Sequence, residues 1–354
     1  MRVALMLAGA GALALSGCAA AALPVVAAAG IAKHARDGRQ DRQERRARKK
    51  VKTPPLQPGQ VVETSDGKVV VTSLTALPPP DGSVAAPVQG GAKVPPEMQY
   101  LYGSGEAAAL SLQAYRALWN YVHVEIGYLR DKTQARSVVL SRGSTLTAPK
   151  FDLCGKRPLA VMFDVDETVL LNLGFEADTA RRGGGYDQGR WTRWEQTGAD
   201  KVVAVPGAAE TIAALRREGL TVIYNSNRST STAAQTAAAL DGAGLGPVTI
   251  GDTLVTRDDG APSGKDERRW KASERYCVVA MAGDQLGDFS DLFNAPEFST
   301  PVRRNTAAET LIAPLWGAGW FVLPNPVYGT GLKGGMDEVF PKDKQWADPA
   351  EEKK

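Results

Sequence analysis

The chain has 354 residues, 43% of them hydrophobic and 23% charged, a globular composition with enough material for one large or two ordinary domains. Its net charge of +3 is segregated: residues 33–52 hold ten Lys/Arg against three Asp/Glu, net +7, which leaves the remainder at −4. A mildly acidic body gives no case for nucleic-acid binding there.

At the N-terminus, Met1-Arg2 is a minimal charged region, residues 3–15 are apolar, and Leu15-Ser16-Gly17-Cys18 places small residues at a cleavage position. These last four resemble the lipobox of bacterial lipoproteins. The resemblance implies a signal peptide over 1–17, lipidation of Cys18 and a membrane anchor at that residue. Ala19, where an aspartate commonly holds lipoproteins at the inner membrane, points to the outer membrane facing the periplasm. A competing reading takes the uncharged residues 3–32 as a bilayer span with its basic end in the cytoplasm, but it gives Cys18 no role.

In the basic tract, Arg36, Arg39, Arg42, Arg45, Arg46 and Lys49 recur at helical spacing, as a solvated spacer or as a contact for anionic head groups or other polyanions. Residues 53–97 are Pro-rich and read as a linker, so that 18–97 forms one anchored arm. Within it, Asp66-Gly67 between β-branched runs predicts a small hairpin over 61–72.

The globular body is expected over 98–341, with a polar tail at 342–354. The spacing of Leu110, Tyr115, Leu118, Trp119, Val122, Ile126 and Leu129 predicts one amphipathic helix over 104–131. Residues 130–151 read as connecting material. An apolar run from Leu159 then ends abruptly in Asp164-Val165-Asp166-Glu167-Thr168, the pattern of a buried parallel strand with polar residues where it emerges. Residues 173–203 are irregular and aromatic, and read as a cap or lid. Strands follow at 220–224, 248–255, 277–282 and 319–323, alternating with helices over 206–219, 229–242 and 265–276. The expected fold is α/β: a doubly wound, mostly parallel, Rossmann-like sheet with helices on both faces and a small cap. Cys154 and Cys277 each precede an apolar segment, and a disulfide or two buried thiols fit equally.

Four features fall at strand ends or loops: Asp164/Asp166, Ser226, Lys265 and Asp284/Asp288. In order and spacing they resemble the four motifs of the haloacid dehalogenase superfamily: DxDxT, a hydrophobic strand ending in Ser or Thr, a lysine, and GDxxxD. The resemblance implies that Asp164 attacks phosphorus to form an aspartyl-phosphate. Asp166 would serve as general acid and then general base. Ser226, Asn227 and Lys265 would bind the phosphoryl group. One Mg²⁺ would be held by Asp164 and Asp284 with the backbone carbonyl of Asp166, and Asp288 at the same metal site would orient its waters. Arg228, Arg268 and Arg269 read as solvated surface cations.

Further stretches narrow the resemblance: YLYGSGEAAALSLQAY from Tyr100, DVDETVLLN, WTRW at 191–194, IYNSNR, GKDERR, GDQLGDF and FVLPNPVYG. The chain is similar to bacterial class C acid phosphatases, which implies hydrolysis of nucleoside monophosphates or other small phosphomonoesters. Tyr186, Trp191 and Trp194 are the candidates for stacking on a substrate ring. Leu171-Asn172-Leu173 departs from the family's usual Asp-Asn-Ser, and Gly287 stands where a further Asp is common. Two alternatives remain: an envelope binding or scaffolding lipoprotein that keeps the fold, and a phosphotransferase. The sequence leaves a homodimer open.

Overall fold

The computed structural model describes residues 61–64, 67–70, 93–129 and 135–348. The expected signal segment, Cys18, the basic tract, most of the linker and the end of the polar tail lie outside the described residues. The chain divides into two units, Met1–Pro87 and Val88–Lys354. In the first, the expected hairpin forms: β1 (Val61–Thr64) pairs antiparallel with β2 (Gly67–Val70).

The second unit begins with α1 (Pro96–Gly103) and α2 (Gly105–Leu129). Tyr115, Leu118, Val122 and Ile126 form the buried stripe of α2, as their spacing predicts, whereas Leu110 is exposed. Residues read as mere connection then hold β3 (Arg136–Leu140), which pairs antiparallel with β4 (Phe151–Leu153). The central strand, β5 (Leu159–Phe163), is followed by β6 (Leu170–Leu171). The stretch expected to be irregular forms two short helices, α3 (Leu173–Arg182) and α4 (Gln188–Thr197), and a return strand, β7 (Val203–Ala204), paired with β6. Gly183, at φ +67°, ends α3, and the Asp187 side chain caps α4 by accepting from Arg190 N.

The remaining elements are α5 (Ala208–Arg217), β8 (Thr221–Ser229), α6 (Ala233–Gly242), β9 (Leu254–Arg257), α7 (Asp266–Arg275), β10 (Cys277–Gly283), α8 (Thr300–Glu309), β11 (Trp320–Val322) and α9 (Met336–Val339). Two strands differ from expectation. β8 runs to Ser229, because its polar end pairs with β9 instead of leaving the sheet. β9 starts only at Leu254, because 249–253 fold into a turn in which Thr249 O accepts from Asp252, Thr253 and Leu254 N.

The sheet order is β11-β10-β5-β8-β9, with every pairing parallel. β5 can be wholly apolar because both of its faces are covered. Val161 and Phe163 join one core with Tyr115 and Leu118 of α2 and Ile212 and Leu215 of α5. Ala160 and Met162 join the other with Val138 of β3, Ala272 of α7 and Trp320. Each fully buried Leu or Ile contributes ~1.5–3 kcal/mol to this packing. The fold is therefore the expected doubly wound α/β sheet, with the β3–β4 hairpin as an added cover on one face. Cys154 and Cys277 are joined in a disulfide with Cα atoms 5.1 Å apart, which fastens the segment after β4 to the start of β10. From β5 the chain winds outward to β8 and β9, then crosses back to β10 and β11. The order reverses beside β5, so a crevice opens at the carboxyl ends of β5 and β10.

Candidate active site

Asp164 is the first residue past β5, and its backbone N–H still donates to Ala282 O at 2.9 Å, which fixes its carboxylate at the crevice. Asp284 leaves β10 beside it, and Asp288 returns one turn later. Gly283 makes that return possible: a Cβ there would lie 2.3 Å from the Cβ of Asp288. Carboxylate oxygens of Asp164, Asp284 and Asp288 all lie within 4.8 Å of one another. Lys265, at the start of α7, reaches the same place. Its buried Nζ donates to Asp164 Oδ1 and, at 2.7 Å, to Asp288 Oδ1. Burial alone would lower the Lys265 ammonium, but Asp164 and Asp288 outweigh it and hold it above its ordinary value.

The trio is crowded. Burial pushes the Asp164 carboxyl up, with Lys265 opposing and Asp288 and Asp284 reinforcing. Asp284 is pushed up to about 7 by burial and then by Asp288. Its partners are the neutral donors Thr168 Oγ1 at 3.0 Å, Gln285 Nε2 at 3.0 Å and Asn325 Nδ2 at 2.7 Å. Three carboxylates facing one ammonium leave two negative charges without a partner, which a divalent cation would match. The all-oxygen donor set and the neutral groups that orient Asp284 fit such an ion.

Asp166 stands apart from this trio. Its Oδ1 accepts from Arg228 Nη2 at 2.8 Å, Arg228 Nε at 3.0 Å and Asn172 Nδ2 at 2.9 Å, while Oδ2 has only the longer 3.3 Å contact with Arg228 Nε. Arg228 is buried, not solvated as its sequence context suggested. Burial would lower its guanidinium, yet Asp166 holds it above the ordinary value. Arg268 and Arg269 also correct that expectation. Arg268 donates to Asn225 Oδ1 at 2.7 Å and Asn227 Oδ1 at 2.6 Å; Arg269 donates to the carbonyls of Gly287 and Asp288 at 3.0 and 2.8 Å, bracing the turn that carries Asp288.

Between the two carboxylate groups lies Glu167, a buried residue at φ +55°, in the left-handed region unusual for a side-chain-bearing residue. Tyr102 and Tyr328 hydroxyls and the Asn172 N–H and Nδ2 donate to its carboxylate. Burial, then Asp166, pushes Glu167 up to about 7. The Ser226 hydroxyl is buried and accepts from Arg228 N at 3.0 Å. None of Glu167, Tyr102, Tyr328, Asn325 or Asn172 was singled out from sequence. Glu167 lies inside the first motif, but its tyrosine partners are 65 and 161 residues away.

A cavity of about 800 Å³ opens over these groups, lined by Asp164, Asp166, Asn227, Lys265, Asp284 and Asp288 on the sheet side and by Phe175, Tyr186 and Trp191 on the cap side. Tyr186 is 67% exposed, its ring 6.5 Å from that of Trp191. Trp194 is not among the lining residues. Its ring packs on Gly174, Gly198 and Phe175, and its Nε1 donates to Asn172 Oδ1 at 3.2 Å. It belongs to the small core of the cap.

Residues 113–331 match the family described as HAD superfamily, subfamily IIIB (Acid phosphatase). Two solved structures share the fold. The class C acid phosphatase from Bacillus anthracis is 24% identical, with a TM-score of 0.52 over 66% of this chain and 84% of that one. The same class of enzyme from that organism with tungstate bound is 22% identical, with a TM-score of 0.53 over 69% and 92%.

Proposed function

Because the chain belongs to the subfamily IIIB acid phosphatases of the HAD superfamily, and is thus a phosphomonoesterase, we propose that it hydrolyses small phosphomonoesters, nucleoside monophosphates among them, through an aspartyl-phosphate on Asp164 with Mg²⁺ bound. The observation that carries this reading is the buried Asp164 carboxylate, held by Lys265 beside Asp284 and Asp288 at the crevice. Tungstate, an oxyanion shaped like phosphate, is bound in one of the related structures.

Asp164 attacks the phosphorus and releases the alcohol, splitting one displacement into two. Lys265 and Asn227 line the cavity and would bind the phosphoryl oxygens, while Ser226, fully buried and outside the cavity lining, accepts from Arg228 N. Held by Asp164, Asp284 and Asp288, with the Asp166 carbonyl, Mg²⁺ would neutralise phosphoryl charge that otherwise repels an anionic nucleophile. Asp166 gives a proton to the leaving oxygen and takes one from the water that cleaves the acyl-phosphate. Its Oδ1 is occupied by Arg228 and Asn172, so Oδ2, with only the 3.3 Å contact from Arg228 Nε, is the oxygen to carry that proton. Buried Arg228 and Asn172 set the direction in which Oδ2 points.

We further propose, from the lipobox-like Leu15-Ser16-Gly17-Cys18, that the enzyme is anchored to the cell envelope through Cys18 and that residues 33–52 contact the membrane surface. Both parts are tested on fractionated cells supplied with p-nitrophenyl phosphate and Mg²⁺. Activity is expected in the membrane fraction and moves to the soluble fraction in Cys18→Ser. Asp164→Asn is expected to lose at least ~10³-fold in kcat. Full turnover in Asp164→Asn removes the proposed nucleophile, and membrane retention of Cys18→Ser removes the proposed anchor.

A further inference from the structure

Away from the carboxylate trio, the cavity carries positive charge that the chemistry leaves unused. Arg257, at the carboxyl end of β9, lines the cavity. Among the described residues its side chain donates no hydrogen bond and has no carboxylate at ion-pair distance; Asp259, two residues on, is the carboxylate on which its charge acts. Arg190 of α4 lines the same wall. Its Nη2 donates to Thr179 Oγ1, its Nε lies 3.9 Å from Asp178 Oδ2, and its Cζ lies 4.3 Å from the Phe175 ring centre, so Arg190 is the partnered cation of the two. A guanidinium carries five N–H donors and no acceptor, and one that lines a cavity without a hydrogen bond or ion pair from its side chain offers its reachable donors to whatever enters.

The surroundings suit an anion with a flat ring. Tyr186 and Trp191 line the same wall, and Arg257 acts electrostatically on the Tyr186 phenol. Glu176, which also lines the cavity, is pushed up to about 7 by burial and so contributes little negative charge in mildly acid solution. The carboxylate trio and the two arginines line one cavity of about 800 Å³, a volume within the range of cavities that hold small molecules of nucleotide size.

Resting on the phosphatase reading above, we infer that this wall is a second anion subsite with Arg257 as its principal ligand. The preferred substrates are then phosphomonoesters that carry a second anionic group on the ring-bearing part of the molecule, such as a nucleoside bisphosphate. A monophosphate leaves Arg257 without an acceptor; a bisphosphate gives it a charge-assisted hydrogen bond.

The test is the ratio of kcat/KM for 5′-phosphate release from adenosine 3′,5′-bisphosphate to that from adenosine 5′-monophosphate. The wild-type ratio is expected to be about ten, the worth of one hydrogen bond to a charged group. Arg257→Gln brings it to about one, and Arg257→Lys, which keeps the charge, retains part of the preference. A general folding loss lowers both substrates together and does not imitate this change. A wild-type ratio near one, or the same ratio in Arg257→Gln, overturns the subsite while turnover of p-nitrophenyl phosphate leaves the phosphatase reading standing. An enzyme inert toward p-nitrophenyl phosphate overturns both.

Discussion

The two walls of the cavity are built differently. At the sheet edge, Asp164, Asp284, Asp288, Lys265 and Arg228 are buried or nearly so, each tied to named partners, on strands whose faces are both covered. On the other side, two short cap helices and the loop between them carry Arg190 and the mostly exposed Tyr186, and Arg257 at the end of β9 lines the cavity without a hydrogen bond from its side chain. The first wall is finished without substrate and holds its groups where charge develops in the reaction. The second has hydrogen-bonding capacity left over for whatever enters. Chemistry common to every substrate thus belongs to the sheet edge, and selection among substrates belongs to the cap.

Removing Lys265 strains that division most. Lys265→Met keeps the length of the side chain but removes the cation that donates to both Asp164 and Asp288. Breaking a buried pair from one side costs about 3–5 kcal/mol, because the partner charges stay behind. Urea denaturation of the metal-free protein should show a loss of that order. Turnover should fall by ~10³-fold for all phosphomonoesters alike, since the lost charge faces the phosphoryl group and not the leaving group. A variant that loses activity toward only one substrate class would place Lys265 on the selective side and break the comparison.

The two walls also differ in how much of them the sequence discloses. Asp164 and Asp166 are two residues apart at the end of an apolar run, and Gly283-Asp284 and Asp288 end another, so strand patterning and motif spacing locate them together. Lys265 and Ser226 follow from the same order of motifs. Arg228 escapes this reasoning because an arginine after a strand is ordinarily solvated; only the continuation of β8 to Ser229 buries it. Glu167 needs Tyr102 and Tyr328, residues that only the closed fold brings to it. In the cap, Gly183-Gly184-Gly185 and a run of arginines and glutamines obscure helical periodicity, so α3 and α4 were unreadable and Trp194 looked like a ligand contact when it is packing. β3 was hidden for another reason: Val138-Val139-Leu140 is too short an apolar run to distinguish from a loop without β4 and β10 beside it.

Asn172 joins the two walls, and its removal tests whether they are separable. Its Nδ2 donates to Asp166 and Glu167, and its Oδ1 accepts from Arg228 and from Trp194 of the cap core. Asn172→Ala leaves buried donors and acceptors unmatched, at about 1–3 kcal/mol of stability. It also frees the Asp166 carboxylate to turn, and misplacing a reacting group by an ångström lowers kcat by up to about 10²-fold. The expected pattern is a lower kcat with KM little changed, read by steady-state kinetics on p-nitrophenyl phosphate. A rise in KM with kcat intact would mean that Asn172 serves the cap instead of Asp166.

The smallest effect expected is on the cap alone, and it depends on pH. Burial pushes the Glu176 carboxyl up from its ordinary 4.5 to about 7, with Arg190 opposing. Below about 4.5 the group is protonated in both folded and unfolded chains and has no influence on stability. As pH rises from 4.5 to 7 the unfolded chain ionises while the folded one keeps its proton, so folding loses stability across that window. Above 7 the loss is constant. The full shift corresponds to about 3 kcal/mol, and partial solvent screening reduces this to roughly 1–2 kcal/mol. Glu176→Gln, which cannot ionise, should therefore match the wild type at pH 4 and exceed it by roughly 1–2 kcal/mol at pH 8. Chemical denaturation at the two pH values measures the difference. Equal stabilities at pH 8 would mean that Glu176 ionises freely. The cap would then be less positive than Arg190 makes it, and the contrast between the walls would narrow.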